Sequence, residues 1–461
     1  MTGALLGALL AASALAKKPV REPPKLDPWS DEGLAALGAR ILPLVEREAG
    51  RKFVTPPIIR YSQPAAFQVL LAAEQRRIFD IVLADTPPEI RNRIATDAAR
   101  MESASILGKY GIEDHVTYLC APAIRDSLPL MGLTDDRGED VLALILAHEL
   151  THALTDQHTD LVAQLGRIHD LDSLHAASGA WEGVATWGEQ RVATALGLTD
   201  VFDALTGLQG WGPTGLIEPA AWTVYATYGL GRDFTAWHHG RAGIDGVWAT
   251  LAEPPRETAA IYRPQRWGIP LPEPPIDYAA VLRGLEQEMT TGPWAVSNSR
   301  LGELTLRGEA VRADAEAQLE GTLGQLRHAQ VLSAERDDRQ AELRILEFDS
   351  PESVQAWLAL LRTQQDAVTA AQAERYGLPV DVKWTPLDEV AGDESALRTQ
   401  RIPLSGGRWK ESISAHVVRG STCVIVTAVD FRPGLRLGNT VNAIFARLDA
   451  ARSVSPPHSS P

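Results

Sequence analysis

Two histidines four residues apart enclose an acid in the segment His148-Glu149-Leu150-Thr151-His152. On a helix, positions i and i+4 share a face, so both imidazoles can reach one metal ion. Glu149 lies beside them, where a carboxylate can handle the proton of a water molecule without binding metal itself. Two fixed nitrogens and a neighbouring base form the layout that zinc-assisted hydrolysis requires. Five residues recur by chance, so their surroundings have to decide.

Those surroundings favour a buried site. Val141 to Ala147 is apolar on every side, the pattern of a helix enclosed by others. Histidines in such a helix need partners. A second apolar segment, Ala180-Trp181-Glu182-Gly183-Val184-Ala185-Thr186, carries one acid. Buried alone it would be costly, and a zinc ion would satisfy it, so Glu182 is the third candidate ligand. Glu189, two turns along the same face, is the alternative ligand or a residue that supports one. Asp156 extends the histidine stripe towards a helix C-terminus, where the dipole disfavours an acid. It is read as orienting an imidazole or a nearby backbone group, or as a solvated acid. His158, His169 and His175 lack the spacing and are read as surface or loop residues. Tyr225, Tyr228, His238 and His239 are candidates to stabilise an oxyanion, and any single one of them reads more readily as packing or surface.

The elements that must position these groups follow from periodicity. Asp135, Asp136 and Gly138 introduce a helix over 139–157, and a second helix covers 174–196. Short strands are expected at 57–61 and 115–120, with helix over 64–110 between them. Residues 200–300 are rich in Trp, Gly and Pro, with helical pieces near 217–228 and 244–251. Beyond residue 300 the pattern changes: a charged helical stretch at 308–330, a strand at 341–348 and a helix at 351–375. A hairpin over 412–428 turns at Arg419-Gly420-Ser421, and a helix follows at 437–451. The fold class is therefore α+β, with a mainly helical domain bearing a small sheet at 31–300 and a smaller α+β domain at 301–452.

Taken together, His148 to His158, HELTHALTDQH, and Trp181 to Thr186 resemble the gluzincin type of zinc metallopeptidase. The likeness is nearest to a group of exported bacterial proteins with HELTHALQDQH followed by EGxAT. The order of Tyr228-Gly229, Phe234, Gly243 to Trp248, Pro254 to Thr258 and Pro264 is similar to that group. Leu301-Gly302-Glu303 and Ile345 to Trp357 resemble its C-terminal module. The resemblance implies a zincin-like domain, Zn2+ bound by His148, His152 and Glu182, and Glu149 as general base. It also favours Tyr228 over the other oxyanion candidates. Val184 departs from the pattern where the group often has an acid, and Arg263 where it often has His before Pro. The implied activity is hydrolysis of peptide bonds. The alternative is a zinc-binding but catalytically inactive envelope protein whose C-terminal module binds or scaffolds a partner. A helical packing motif without metal is a third reading.

Composition bounds the rest. The chain has 461 residues, room for two domains of ordinary size. A net charge of −15 argues against a nucleic-acid partner, since phosphate backbones call for basic surface. The apolar run Ala4 to Ala16 ends in Ala14-Leu15-Ala16 and reads as a signal peptide over 1–16, although no Lys or Arg precedes it. Export to the periplasm or beyond is expected, with no integral membrane segment after signal cleavage. Residues 17–30 read as a proline-rich linker and 453–461 as a disordered tail. Cys120 and Cys423 read equally as one disulfide or two buried thiols.

Overall fold

The computed structural model describes residues 26–84, 86–103, 106–207, 219–269, 273–285, 294–310, 315–336, 339–377, 379–403, 409–430 and 437–454. The signal peptide, residues 17–25 of the linker and most of the tail expected from the sequence lie outside these. Among the described residues, no helix is long and apolar enough to cross a membrane. The architecture is α+β, with a three-stranded and a seven-stranded sheet.

The helical half is built around two long helices. In chain order it contains α1 (Asp31–Ala49), α2 (Pro64–Val82), α3 (Pro88–Glu102), α4 (Ala121–Ser127), α5 (Gly138–Thr159) and α6 (Leu161–Leu165). These are followed by α7 (Leu171–Leu196), α8 (Thr199–Gly207), α9 (Pro219–Tyr225), α10 (Gly231–Ala252) and α11 (Ala259–Tyr262). Pro43 lies inside α1 without ending it. α5 is buried on nearly all sides and packs in one core with α1, α4, α7, α8 and α10. α7 starts at a capping box in which the Asp170 side chain and Ser173 satisfy each other's backbone N–H groups.

The small sheet has the order β1 (Ile58–Tyr61), β3 (Val116–Leu119), β2 (Gly108–Gly111), with β1 and β3 parallel and β2 antiparallel at the edge. β2 departs from the helix expected over 64–110. Its residues Gly108-Lys109-Tyr110-Gly111 offer little strand pattern of their own, and pairing with β3 decides their conformation.

The second half is a seven-stranded antiparallel sheet. Its strands are β4 (Ala295–Arg300), β5 (Leu326–Arg336), β6 (Arg339–Phe348), β7 (Asp381–Pro386), β8 (Glu394–Pro403), β9 (Trp409–Arg419) and β10 (Thr422–Val429), in the order β4-β5-β6-β10-β9-β8-β7. One face packs on α12 (Tyr278–Leu282) and the C-terminal α16 (Leu437–Val454). The other packs on α13 (Glu303–Ala310), α14 (Glu316–Leu323) and the long α15 (Pro351–Tyr376). The sheet therefore takes strand and helix from before residue 301, because β4 pairs with β5 and α12 belongs to its core. Residues 326–330 are strand rather than the helix read from their charge.

The two halves share a core. Trp222 of α9 is buried among α13 and α15 residues and donates to the Leu304 carbonyl at 3.1 Å. Thr86 bonds to both backbone groups of Val296, which covers the outer edge of β4.

Candidate metal centre

His148 and His152 stand on one face of α5 with ring centroids 4.9 Å apart. α7 crosses α5 and brings the Glu182 carboxylate against both rings. His148 Nε2 lies 3.1 Å and His152 Nε2 3.2 Å from Glu182 Oε2, and the two Nε2 atoms are 3.2 Å from each other. Among the described residues, these three form a group able to hold a metal ion.

The donor set says what belongs between them. His148 Nδ1 faces Glu189 Oε2 at 3.1 Å, so Nδ1 carries the proton and donates it. In the neutral ring Nε2 is then a lone pair, aimed at a carboxylate oxygen and at a second imidazole. Three atoms able to ligate a metal converge in a nearly equilateral triangle, an arrangement that suits a cation. A tetrahedral zinc ion with ligands at about 2.0–2.1 Å spans ligand edges of roughly 3.3 Å, close to the triangle's sides. The residues present therefore fit zinc. A proton can play the same part: burial pushes the His148 pKa down, but hydrogen bonds to Glu182 and Glu189 outweigh it and hold it well above its ordinary value. Burial raises the Glu182 carboxyl, and the two histidines more than reverse this, leaving it well below the usual range.

Glu149 is fixed from another direction. Its Oε2 accepts the Tyr110 backbone N–H of β2 at 2.7 Å, and burial pushes its carboxyl upward. A carboxylate with one lobe tied down and a raised pKa is suited to take a proton and return it. β2 reaches this close because residue 108 is glycine. A Cβ there would sit 2.7 Å from Ile145 Cγ2 and 3.1 Å from Glu149 Cγ. Beside it, Lys109 Nζ pairs with Glu74 Oε2 at 2.8 Å.

Tyr228 comes to the same place by a different route. Its ring lies 6.0 Å from that of His148, on a π-helical turn over Ala226–Leu230 that leads into α10. Such turns break helical register and re-aim side chains. A backbone-to-backbone crossing holds the turn in place: a Cβ on Gly183 would lie 2.2 Å from the Gly231 carbonyl.

The other candidates are placed elsewhere. Asp156 is buried and accepts from Tyr110 Oη at 2.7 Å and from the Leu161 backbone at 2.9 Å, with His115 Nδ1 at 3.1 Å. It thus ties β2 and the start of α6 to α5. His158 donates to or accepts from nothing at the centre; its Nε2 meets the Lys52 carbonyl at 2.9 Å and its ring packs on Trp248. His169 is exposed, and His175 lies two turns before Glu182 on α7. Tyr225 packs on Trp222, and His239 on Trp187. His238 is caged by Phe234, Trp237 and Trp267, and burial lowers its pKa to about 4. Val184 is in the core, and Arg263 pairs with Glu303 and Glu320. Cys120 and Cys423 are free and buried in different cores. Sequence reading passed over Tyr110, Lys109 and Glu74. Tyr110 and Lys109 lie in a short segment between a helix and a strand, where Tyr110 acts through a backbone N–H that no side-chain pattern reports, and Glu74 lies within α2.

No protein-family profile and no curated protein matches the chain. Among solved structures, a protein from Chloroflexus aurantiacus described as a "putative hydrolase with a novel fold" aligns with 17% identity and a TM-score of 0.37, over 51% of this chain and 88% of its own. The extracellular domain of PknH from Mycobacterium tuberculosis aligns with 13% identity and a TM-score of 0.21, over 35% of this chain and 80% of its own. Likenesses at these scores carry no argument about fold or chemistry, so the centre is read from its own geometry.

Proposed function

We propose that this chain is a zinc-dependent metallopeptidase of the gluzincin type, with His148, His152 and Glu182 as ligands. One observation carries the reading: three possible ligand atoms converge at 3.1–3.2 Å, and the residue between the histidines' positions, Glu149, is a buried carboxylate held by a backbone N–H. Two imidazoles and one carboxylate suit Zn2+ better than Mg2+ or Ca2+, which prefer oxygen ligands.

A zinc ion bound there supplies Lewis acidity for a scissile carbonyl. The chain's own residues do the rest. Glu149 takes a proton from the attacking water and gives it to the leaving amine, while the Tyr110 N–H fixes one of its carboxylate oxygens. Glu189 holds the His148 ring in the tautomer that presents Nε2. Tyr228 donates to the oxyanion as it forms. A peptide can approach in extended form along β2, one of the two edge strands of the small sheet. The chain's place is outside the cytoplasm if the apolar N-terminal run acts as a signal.

Glu149→Gln separates metal binding from chemistry. The variant should bind one zinc per chain, by elemental analysis, and lose about 10²–10⁴-fold in turnover of a broad peptide library. Equal turnover by wild type and variant sinks the peptidase reading. Wild-type protein without stoichiometric zinc sinks the metal reading.

A further inference from the structure

The strand that flanks the metal centre carries one cation. Along β2 and the turn after it, Gly108 to His115, Lys109 is the sole Lys or Arg. Side chains alternate across a strand. Gly108 and Tyr110 face α5: a Cβ on Gly108 would meet Ile145 and Glu149, and Tyr110 Oη donates to Asp156. Lys109 therefore projects from the other face. There it stands in register with Tyr118, whose ring packs on Phe67 of α2, and α2 meets it with Glu74. Burial works against the Lys109 charge, but Glu74, with Glu182 and Glu149 nearby, outweighs it and keeps the ammonium protonated.

The Lys109–Glu74 pair shows its cation and hides its anion. The Lys109 side chain keeps 28% of its surface exposed against 10% for Glu74, and Glu74 Oε1 is buried without a partner. An ammonium group has three N–H donors, and Glu74 Oε2, at 2.8 Å, is the acceptor it meets among the described residues. What the pair offers outwards is therefore a hydrogen-bond donor with positive charge. β2 is a sheet edge, so its outer side is open to a further strand. In an added strand the residue opposite Lys109 points the same way, with the two Cβ atoms about 4.5–5.5 Å apart. Opposite charges at such positions attract and like charges repel. Lys109 also adjoins Tyr110, whose N–H holds Glu149, so the residue it meets lies close to the bond that is cut.

We infer that Lys109 sets substrate specificity: the peptide residue opposite it, within about two residues of the scissile bond, is Asp or Glu, whose carboxylate accepts from the ammonium. The inference rests on the peptidase reading and on approach along β2. Cleavage of short peptide libraries by the full chain, with one position fixed at a time, tests it. At one position near the bond, wild type should cleave Glu peptides with roughly tenfold higher kcat/KM than Gln peptides, and Lys peptides more slowly still. Lys109→Met should level the three, Lys109→Arg should keep their order, and Lys109→Glu should reverse it. A role in folding alone moves none of these orders. If Lys109→Met fails to fold because Glu74 is left unpaired, the double variant Lys109→Met, Glu74→Gln removes both charges and should level the three as well. Wild type that cleaves peptides without preferring an acid near the bond, or a folded Met variant that keeps the preference, overturns the assignment and leaves the peptidase reading standing. Zinc-loaded wild type that cleaves no peptide removes both.

Discussion

At the residue scale, the centre depends on groups that orient others. Glu189 bonds to His148 on the side away from Glu182. Its substitution by Gln keeps a hydrogen-bonding partner but removes the charge that favours the required tautomer. We expect zinc affinity to fall by about 10–100-fold, measured by competition with a chelator. Undiminished affinity would show that the ring is held by packing alone. Tyr228 acts later. Tyr228→Phe should leave zinc content intact and lower kcat by about 10²–10³ with little change in KM, the pattern of a donor used only in the transition state. A change confined to KM would assign Tyr228 to substrate binding.

At the scale of elements, two close approaches set the geometry. Gly108→Val would push β2 off α5, because the added atoms meet Ile145 and Glu149. Peptide hydrolysis should drop sharply with zinc retained, and overpacking should cost about 1–3 kcal/mol of stability. Thermal melts and elemental analysis on the same sample separate the two effects. Unchanged hydrolysis would mean that Glu149 does not need the Tyr110 N–H. The Gly183–Gly231 crossing is stricter, since the obstruction is backbone and cannot rotate away. Along α5, full burial of Leu142, Leu144 and Leu146 makes the histidine-bearing helix part of the core rather than a surface addition.

At the scale of the molecule, the halves are joined by buried polar contacts as well as by Trp222. Asp172 accepts from the Thr258 N–H and hydroxyl at 2.9 and 2.6 Å, and Arg300 approaches it from β4. Metal should therefore stabilise more than its own neighbourhood. Chelation should lower the melting temperature by several degrees and zinc should restore it, since a ligand bound only to the folded state adds to its stability. Acid acts on the sheet half. Burial lowers the His416 pKa to about 3, with Arg362, Arg398 and Arg344 acting in the same direction, and lowers that of His328 to about 4. Between these values and the ordinary 6.5, the unfolded chain binds more protons than the folded one. Stability is thus fully present above pH 6.5 and is lost as pH falls towards 3. Melting temperature followed from pH 7 to pH 4 should decline, and less steeply in His416→Gln. Parallel curves for the two proteins would remove His416 from the account.

The sequence by itself determined what is local. The i, i+4 spacing of His148 and His152 on an apolar helix, and a single acid in the apolar segment around Glu182, follow from composition and period alone. The same holds for α7, α15, the β9–β10 hairpin and α16, whose patterns are long and regular. Tertiary structure decided what depends on pairing and approach. β2 is a strand because β3 pairs with it, and its N–H reaches Glu149 because residue 108 has no side chain. β4 joins the large sheet because β5 pairs with it. Asp156 follows the histidines on α5 and Glu189 follows Glu182 on α7, yet only the crossing of α7 over α5 put Glu189 on an imidazole and left Asp156 to β2. The pairing of Lys109 with Glu74 is likewise a property of packing: the two meet only when β2 and α2 come together. Side-chain type can be read along a chain, but a backbone hydrogen bond or a cleft exists only between segments.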